Sequence, residues 1–392
     1  MMERPPCELA DVVRAYGKQF AERYGHLLDS DAWRVLHAIE NCRTAILGGH
    51  VEACDQCGHR VISYNSCRDR HCPKCQGSSR ERWLAERNAE LLPVPYFHVV
   101  FTLPQQLAPL ALQNKRVLYG ILFRAVSETL LQVAADPQHL GAEIGLLAVL
   151  HTWGQTLQHH PHLHCVVPGG GLAPDHKRWV SSSDRFFLPV RVLSQVFRGK
   201  FLALLRKAYR KGQLQFHGRL EKLGRKTDFN ELLNQMYRCE WVVYTKSPFA
   251  GPEQVLRYLA HYTHRVAISN HRILSVEDGN VTFRWKDYAH GNKKRKMTLT
   301  ACEFLRRFLL HVLPKGFVRI RHFGFLANRQ RKALLETCRR LLPMPAVSAH
   351  TEHTEAAPGV EVLLCPVCHT GRLQIVERLP NLLPRRRRMD SS

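Results

Sequence analysis

Along the first 47 residues apolar positions recur at helical spacing. Leu9, Val12, Val13, Tyr16 and Phe20 make one set, and Trp33, Val35, Leu36 and Ile39 a second. Residues three and four apart share a helix face, so the pattern predicts two helices over residues 8 to 47, with Asp29 to Asp31 offering caps before the second. Residues 49 to 77 break that period. They are rich in Cys, His and Gly and hold too little apolar material for a core, so this stretch needs a staple. From Tyr96 the pattern is mixed. FHVVFTL and GLLAVLHTW read as strands on either side of a helix over residues 115 to 134, and a strand carrying several histidines follows. Short strands alternating with helices continue to about residue 325, including a strongly basic helix over 190 to 210. Residues 272 to 299 read as strands with a turn at Asp278-Gly279-Asn280. Residues 343 to 362, rich in Pro, Ala, His and Glu, suit a linker.

Composition narrows the partners. The 392 residues include 57 Lys and Arg against 33 Asp and Glu, a formal charge of +24. Such an excess favours a polyanion, because each neutralised phosphate releases condensed counterions. No apolar run approaches the length of a spanning helix and no signal-peptide pattern opens the chain, so we expect no membrane partner and a cytoplasmic, nucleoid-associated protein. Thirteen cysteines, an odd number concentrated in CxxC pairs, point to metal ligation in a reducing compartment.

Cys54 and Cys57 form one CxxC knuckle, and Cys72 and Cys75 another after 14 intervening residues, close to the two-knuckle spacing of tetrahedral zinc. Four thiolates leave no open position for water, so this zinc is expected to hold the fold and not to catalyse. Cys67, His71 and His59 are further candidate ligands in the same loop, which leaves open a second zinc or a mixed His/Cys shell. At the far end Cys365 and Cys368 make a third CxxC, short of partners unless Cys338, His350 or His353 supply them. Arg60, Arg68, Arg70, Lys74, Arg80 and Arg82 surround the first knuckles, where they could grip a DNA backbone or simply face solvent.

The segment His159-His160-Pro161-His162-Leu163-His164 carries a second kind of metal chemistry. Residues i and i+2 of a strand share a face, so His162 and His164 present two imidazoles together while Leu163 turns inward. The glycines at 169 to 171 suit a close backbone approach. Gln155 ranks first as a third, neutral oxygen ligand, with His151, His159 and His160 as alternatives. One oxygen and two nitrogens with open positions suit Mg2+ or Mn2+ holding a phosphate. Downstream, Gly251-Pro252-Glu253 opens a helical pattern that sets Tyr258 and Tyr262 on one face. Tyr262 falls near the apolar stripe of Val255, Leu256 and Leu259, and Tyr258 at its border.

Together, CGHRVISYNSCRDRHCPKCQ, HPHLHCVVPGGG and YLAHYTHRVAISNHRI resemble the insertion sequence ninety-one family of transposases, rolling-circle enzymes of the HUH endonuclease superfamily with one or two catalytic tyrosines. The resemblance spans roughly residues 10 to 330. It implies an α+β fold, with a central antiparallel sheet and packed helices preceded by a helical leader and a small zinc-binding module. The expected organisation is a leader over residues 1–48, a zinc-binding domain over 49–80, an HUH tyrosine endonuclease domain over 90–325, a helix over 326–342, a linker over 343–362, and a CxxC knuckle with a basic tail over 363–392. The resemblance carries the metal-binding pair onto His162 and His164 and the nucleophile onto Tyr258 and Tyr262. It implies cleavage and rejoining of single-stranded element ends and target DNA through a 5′-phosphotyrosine, with structural Zn2+ and catalytic Mg2+ or Mn2+.

A single strand is read by cations interleaved with aromatic platforms, and Arg284-Trp285-Lys286 with Lys293, Lys294, Arg295 and Lys296 supplies such a pattern, as does the stretch from Arg319 to Phe323. Two other functions fit parts of the chain. A plasmid rolling-circle initiator or relaxase shares the metal and tyrosine chemistry, and a noncatalytic zinc-dependent DNA-binding protein needs only the knuckles and the charge.

Overall fold

The computed structural model describes residues 5–75, 90–183, 187–246, 266–288, 290–342 and 364–383, together with 81, 83, 84, 86 and 87. Two helices open the chain as the spacing predicts, α1 over Leu9–Tyr24 and α2 over Ser30–Glu40. Asp29 caps α2, its side chain accepting the Ala32 amide at 2.7 Å. A hairpin of β1 (Gly49–Cys54) and β2 (Arg60–Tyr64) follows.

The centre of the molecule begins with β3 (Tyr96–Thr102), then α3 (Ala108–Gln113) and α4 (Lys115–Ala135), and then β4 (Gly145–Trp153) and β5 (His159–Pro168). A small hairpin of β6 (Gly170–Leu172) and β7 (Trp179–Ser181) leads to α5 (Val190–Arg210), α6 (Lys226–Arg238) and β8 (Val243–Lys246). The meander β9 (Ile273–Glu277), β10 (Asn280–Asp287) and β11 (Lys293–Thr300) precedes α7 (Ala301–Leu309), β12 (Ile320–Gly324), α8 (Arg331–Leu341) and β13 (Leu373–Leu379). Asp278 and Gly279 both take positive φ, 48° and 76°, as a two-residue hairpin turn requires.

The architecture is α+β. Five strands form an antiparallel sheet in the order β12-β4-β5-β3-β8. One face, carrying Phe97, Val99, Phe101, Leu146, Ala148, Leu150, Leu163 and Cys165, packs against α4, α5 and α6 in the main core. Helix α5 shows why its sequence folds this way: Leu193, Phe197, Phe201 and Leu205 are buried four residues apart while its Lys and Arg residues lie on other faces. Each such side chain contributes roughly 1.5–3 kcal/mol on burial. Helix α4 departs from the expectation that no run reaches spanning length. It is long and apolar enough to cross a membrane, but Leu118, Leu122, Phe123, Val126 and Leu130 are sunk in the sheet core, which explains its apolarity without a bilayer.

The opposite face is divided. Helix α8 covers Leu147, Val149 and Val166 with Leu335 and Cys338, and the histidines occupy the other half. The N-terminal helices share a second core with residues far along the chain, since Val12, Val13, Phe20, Val35 and Ile39 cluster with Val281, Phe283, Phe304 and Phe308. The hairpin β1–β2 takes β13 as a third strand in the order β13-β1-β2, so segments far apart in sequence share one sheet.

Candidate metal and nucleic-acid site

Four histidines converge on three adjacent strands. His162 and His164 project from β5, His151 lies directly across from His162 on β4, and His98 comes from β3. One ring nitrogen each from His151, His162 and His164 lies within 4.8 Å of the others. The ring centroids of His151 and His164 are 4.5 Å apart, and those of His162 and His164 are 4.8 Å apart. Such a triangle matches the span of three ligands on one cation.

The local sequence explains how β5 reaches this geometry. Register shifts between His151 and Trp153, so the stretch His160-Pro161 forms a bulge. Proline has no amide to donate and is tolerated in a central strand where the ladder is interrupted. Beyond the bulge His159 turns inward, with its Nε2 2.8 Å from the Tyr119 hydroxyl. Burial pushes His159 down to about 4, with Lys115 adding to the effect, so it is neutral at physiological pH.

The two β5 imidazoles are oriented from behind. The Nδ1–H of His162 donates to the His160 carbonyl at 2.7 Å, leaving Nε2 with its lone pair. His164 Nδ1 lies 2.8 Å from His98 Nε2, and the two rings are almost parallel at 7°. Burial, and then the charges of Lys246 and His162, hold His98 down to about 3, so it meets His164 as a neutral imidazole. His151 is 3 % exposed and stacks on Trp153 at 4.6 Å and 19°.

The structure thus brings His151 to the pair, and the Gln155 amide lies 3.4 Å from the Tyr288 hydroxyl. The reason is register: His151 lies in the ladder opposite His162, whereas Gln155 lies beyond the bulge. Three imidazole nitrogens suit a transition metal such as Mn2+ better than Mg2+, which prefers oxygen. The glycines after β5 do not serve this site. A Cβ at Gly170 would collide with the Val180 carbonyl and one at Gly171 with the Glu143 carbonyl, so they permit close packing of β6 at the other end of the strand.

Tyr258 and Tyr262 lie outside the described residues. The flanks of their segment are described. Lys246, the last residue of β8, pairs with His98, and Val266 lines a small cavity with Trp153 and His311.

Eight of the thirteen thiols fall into two groups of four. Cys42, Cys67, Cys72 and Cys75 form one, and Cys54, Cys57, Cys365 and Cys368 the other, with sulfurs within 4.8 Å in each. The expected shell of Cys54, Cys57, Cys72 and Cys75 is therefore divided, each knuckle taking its partners from a different part of the chain. His71 belongs to neither group. Its Nδ1–H donates to Asp69 at 2.9 Å and its Nε2 accepts the Leu313 amide at 3.2 Å, so both ring nitrogens are engaged. His59 is in neither group; its carbonyl accepts the Cys54 amide at 2.9 Å. Arg70 donates to the carbonyls of Leu313, Pro314 and Phe317, and Lys74 pairs with Glu8, so these two cations fasten the zinc loop to its neighbours. Cys338 is buried beneath the sheet with Leu335, while His350, His353, Arg80 and Arg82 lie outside the described residues.

On β10 and β11 the register pairs Arg284 with Lys296 and Lys286 with Lys294, so four exposed cations share one face. Trp285 and Arg295 point to the other face, where Arg295 pairs with Asp287 at 2.9 Å. Lys293 lies opposite Asp287. Just past the end of β10 stands Tyr288, whose ring Lys286 overlies at 5.2 Å and whose hydroxyl meets the Gln155 amide.

Sequence reasoning missed His98 and Cys42. A lone histidine in the apolar run FHVVFTL was a readable signal for the first; Cys42 carried none, because it is brought in by the end of α2.

Comparison with known proteins accounts for this combination of parts. Residues 145–333 match the family model described as "Putative transposase", and residues 12–103 the one described as "Transposase zinc-binding domain". The chain is 56 % identical, over 96 % of each sequence, to "Putative transposase y4qJ" of Sinorhizobium fredii. It is 29 % identical to "Transposase for insertion sequence element IS801" of Pseudomonas savastanoi pv. phaseolicola, over 78 % of this chain and 74 % of that one. No solved structure matches. A transposase zinc-binding domain followed by a transposase domain, with a full-length transposase relative, makes this chain a transposase, a protein whose partner is DNA. The chain belongs to the insertion sequence ninety-one family, and its thiol clusters fit the structural zinc of that domain.

Proposed function

We propose that this transposase cuts and rejoins single-stranded DNA by attack of a tyrosine on a phosphate held at the face of His151, His162 and His164. The observation that carries the reading is the triangle of three imidazoles on a strand face, two of them with the far ring nitrogen tied so that the near one faces outward. A divalent cation bound there would neutralise the nonbridging oxygens of the scissile phosphate and make phosphorus more electrophilic. The His160 carbonyl, which can only accept, holds His162 in the tautomer that this requires, and His98 would do the same for His164 by accepting at Nε2.

Tyr258 and Tyr262 are the proposed nucleophiles. The flanks of their segment, Lys246 beside His98 and Val266 beside Trp153, support this placement. A phenol titrates near ~10, so it must lose its proton as it attacks. Attack forms the tyrosine–phosphorus bond and breaks the bond to the 3′-oxygen, which takes up a proton. The product is a 5′-phosphotyrosine and a free 3′-hydroxyl. The phosphodiester energy is retained, so rejoining needs no nucleotide. Two tyrosines allow two such intermediates, one at the element end and one at the target.

Arg284, Lys286, Lys294 and Lys296 form the proposed track for the backbone, with Tyr288 as a stacking platform towards the histidines. A Tyr258→Phe, Tyr262→Phe variant is expected to bind a labelled single strand normally in Mn2+ and to form no covalent adduct. Adduct formation by that variant would refute the assignment.

A further inference from the structure

The Cys365-Pro366-Val367-Cys368 knuckle lies outside both matched segments, yet it is built into the N-terminal module. Cys54 and Cys368 sulfurs are 3.6 Å apart, as are those of Cys57 and Cys365. Four sulfurs around zinc at ~2.3 Å stand at tetrahedral corners about 3.8 Å apart, so the spacing fits a bound ion. The two knuckles repeat one geometry. The Gly58 amide donates to the Cys54 carbonyl at 3.1 Å and the His369 amide to the Cys365 carbonyl at 3.0 Å, with both donors at positive φ, 70° and 57°. Backbone amides also address the sulfurs, Gln56 to Cys54 at 3.4 Å and Gly371 to Cys368 at 3.3 Å, as they do where a thiolate must be stabilised. A Cβ at Gly371 would collide with the Cys54 sulfur, so only glycine lets the knuckles approach this closely.

The surrounding sheet has little else to hold it. Along β13 the five residues Gln374 to Arg378 are all exposed, and β2 alternates between exposed and half-buried positions. A three-stranded sheet without an apolar core requires a staple. Asp55 adds a local latch, exchanging its amide for the Arg372 carbonyl at 3.1 Å and accepting the Arg372 amide at 2.8 Å.

We propose that the protein binds two zinc ions, and that the second, held by Cys54, Cys57, Cys365 and Cys368, is a clasp fastening the C-terminal strand β13 onto β1. The first is held by Cys42, Cys67, Cys72 and Cys75, whose sulfurs approach to 3.5 and 3.6 Å beneath α2. Neither half of the clasp can close a tetrahedron alone. Strand β13 therefore joins the β1–β2 hairpin only when metal is bound, and the metal bridges segments on either side of the matched transposase domain.

The test is metal counting by native mass spectrometry of the full-length protein, combined with alkylation of cysteines by iodoacetamide. The wild type is expected to carry two zinc ions and to protect all eight cysteines. Cys365→Ser, Cys368→Ser should carry one, with Cys54 and Cys57 alkylated, Cys42, Cys67, Cys72 and Cys75 still protected, and faster amide exchange over residues 373–379. Cys368→His, which restores a zinc ligand, should carry two. One zinc in the wild type, iron in place of zinc, rapid alkylation of Cys365 and Cys368 in the wild type, or two zinc ions in the double serine variant would each overturn the proposal. Should the serine variant unfold as a whole, the wild-type count and protection pattern decide the matter alone.

Discussion

Replacing Arg284, Lys286, Lys294 and Lys296 together by Gln should separate affinity from stability. The four share an exposed face of the β10–β11 hairpin, pair only with each other across the strands, and make no ion pair among the described residues. Like charges directly opposite destabilise a hairpin, and a polyanion laid across this face would relieve that repulsion. On a single strand each neutralised phosphate contributes about 0.7 to the slope of log K against log salt. Four contacts therefore contribute about 2.8, and over the fourfold rise from roughly 50 to 200 mM salt they account for a loss of about 50-fold in affinity. The variant should bind more weakly at low salt and with a slope shallower by up to about 2.8, while relief of two like-charge pairs makes the hairpin more stable by about 1 kcal/mol. Fluorescence anisotropy of a labelled single strand across a salt series measures the slope, and thermal unfolding measures the stability. An unchanged slope would show that the track lies elsewhere. Arg295→Gln alone should leave the slope nearly unchanged, because Asp287 already neutralises that guanidinium.

His151→Ala should weaken Mn2+ binding by at least the roughly 10–100-fold typical of lost supporting contacts and abolish cleavage, whereas Gln155→Ala should retain both; a metal titration that ranks the two the other way would return the third ligand to Gln155. Glu303 offers a pH test away from the site. Hydrogen bonds from Arg306 outweigh its partial burial, and with Arg307 they hold its carboxyl down to about 2 from the ordinary 4.5. A depressed carboxyl stabilises above its unfolded value, so this contribution is complete above about pH 4.5 and is lost as pH falls through about 2. Discounted for its exposure, Glu303→Gln should cost about 1 kcal/mol at pH 7 and progressively less below pH 4.5, read from denaturant midpoints; a deficit independent of pH would contradict this.

Local periodicity made much of the fold legible. Helices α1, α2, α4 and α5 and strands β3, β4 and β5 follow from apolar spacing, and the alternation that sets His162 and His164 on one face needs no tertiary information. What escaped depends on register between distant segments. His151 could be selected from four candidates only once the bulge at His160-Pro161 fixed which β4 residue stands across from His162. The spacing of Cys54, Cys57, Cys72 and Cys75 suggested one zinc because knuckles look alike locally, and only the pairing of β1 with β13 shows that Cys54 and Cys57 meet Cys365 and Cys368. Charge misled where burial intervened, since Arg70 reads as a surface cation and is spent on backbone carbonyls.

The central claim is tested most directly by incubating the protein with a single-stranded element end and Mn2+, digesting the adduct, and locating the modified residue by mass spectrometry. The account predicts a phosphodiester-linked nucleotide on Tyr258 or Tyr262, lost in His151→Ala and in His162→Ala, His164→Ala. Cleavage without an adduct, an adduct on any other residue, or an adduct that survives loss of these histidines would contradict it.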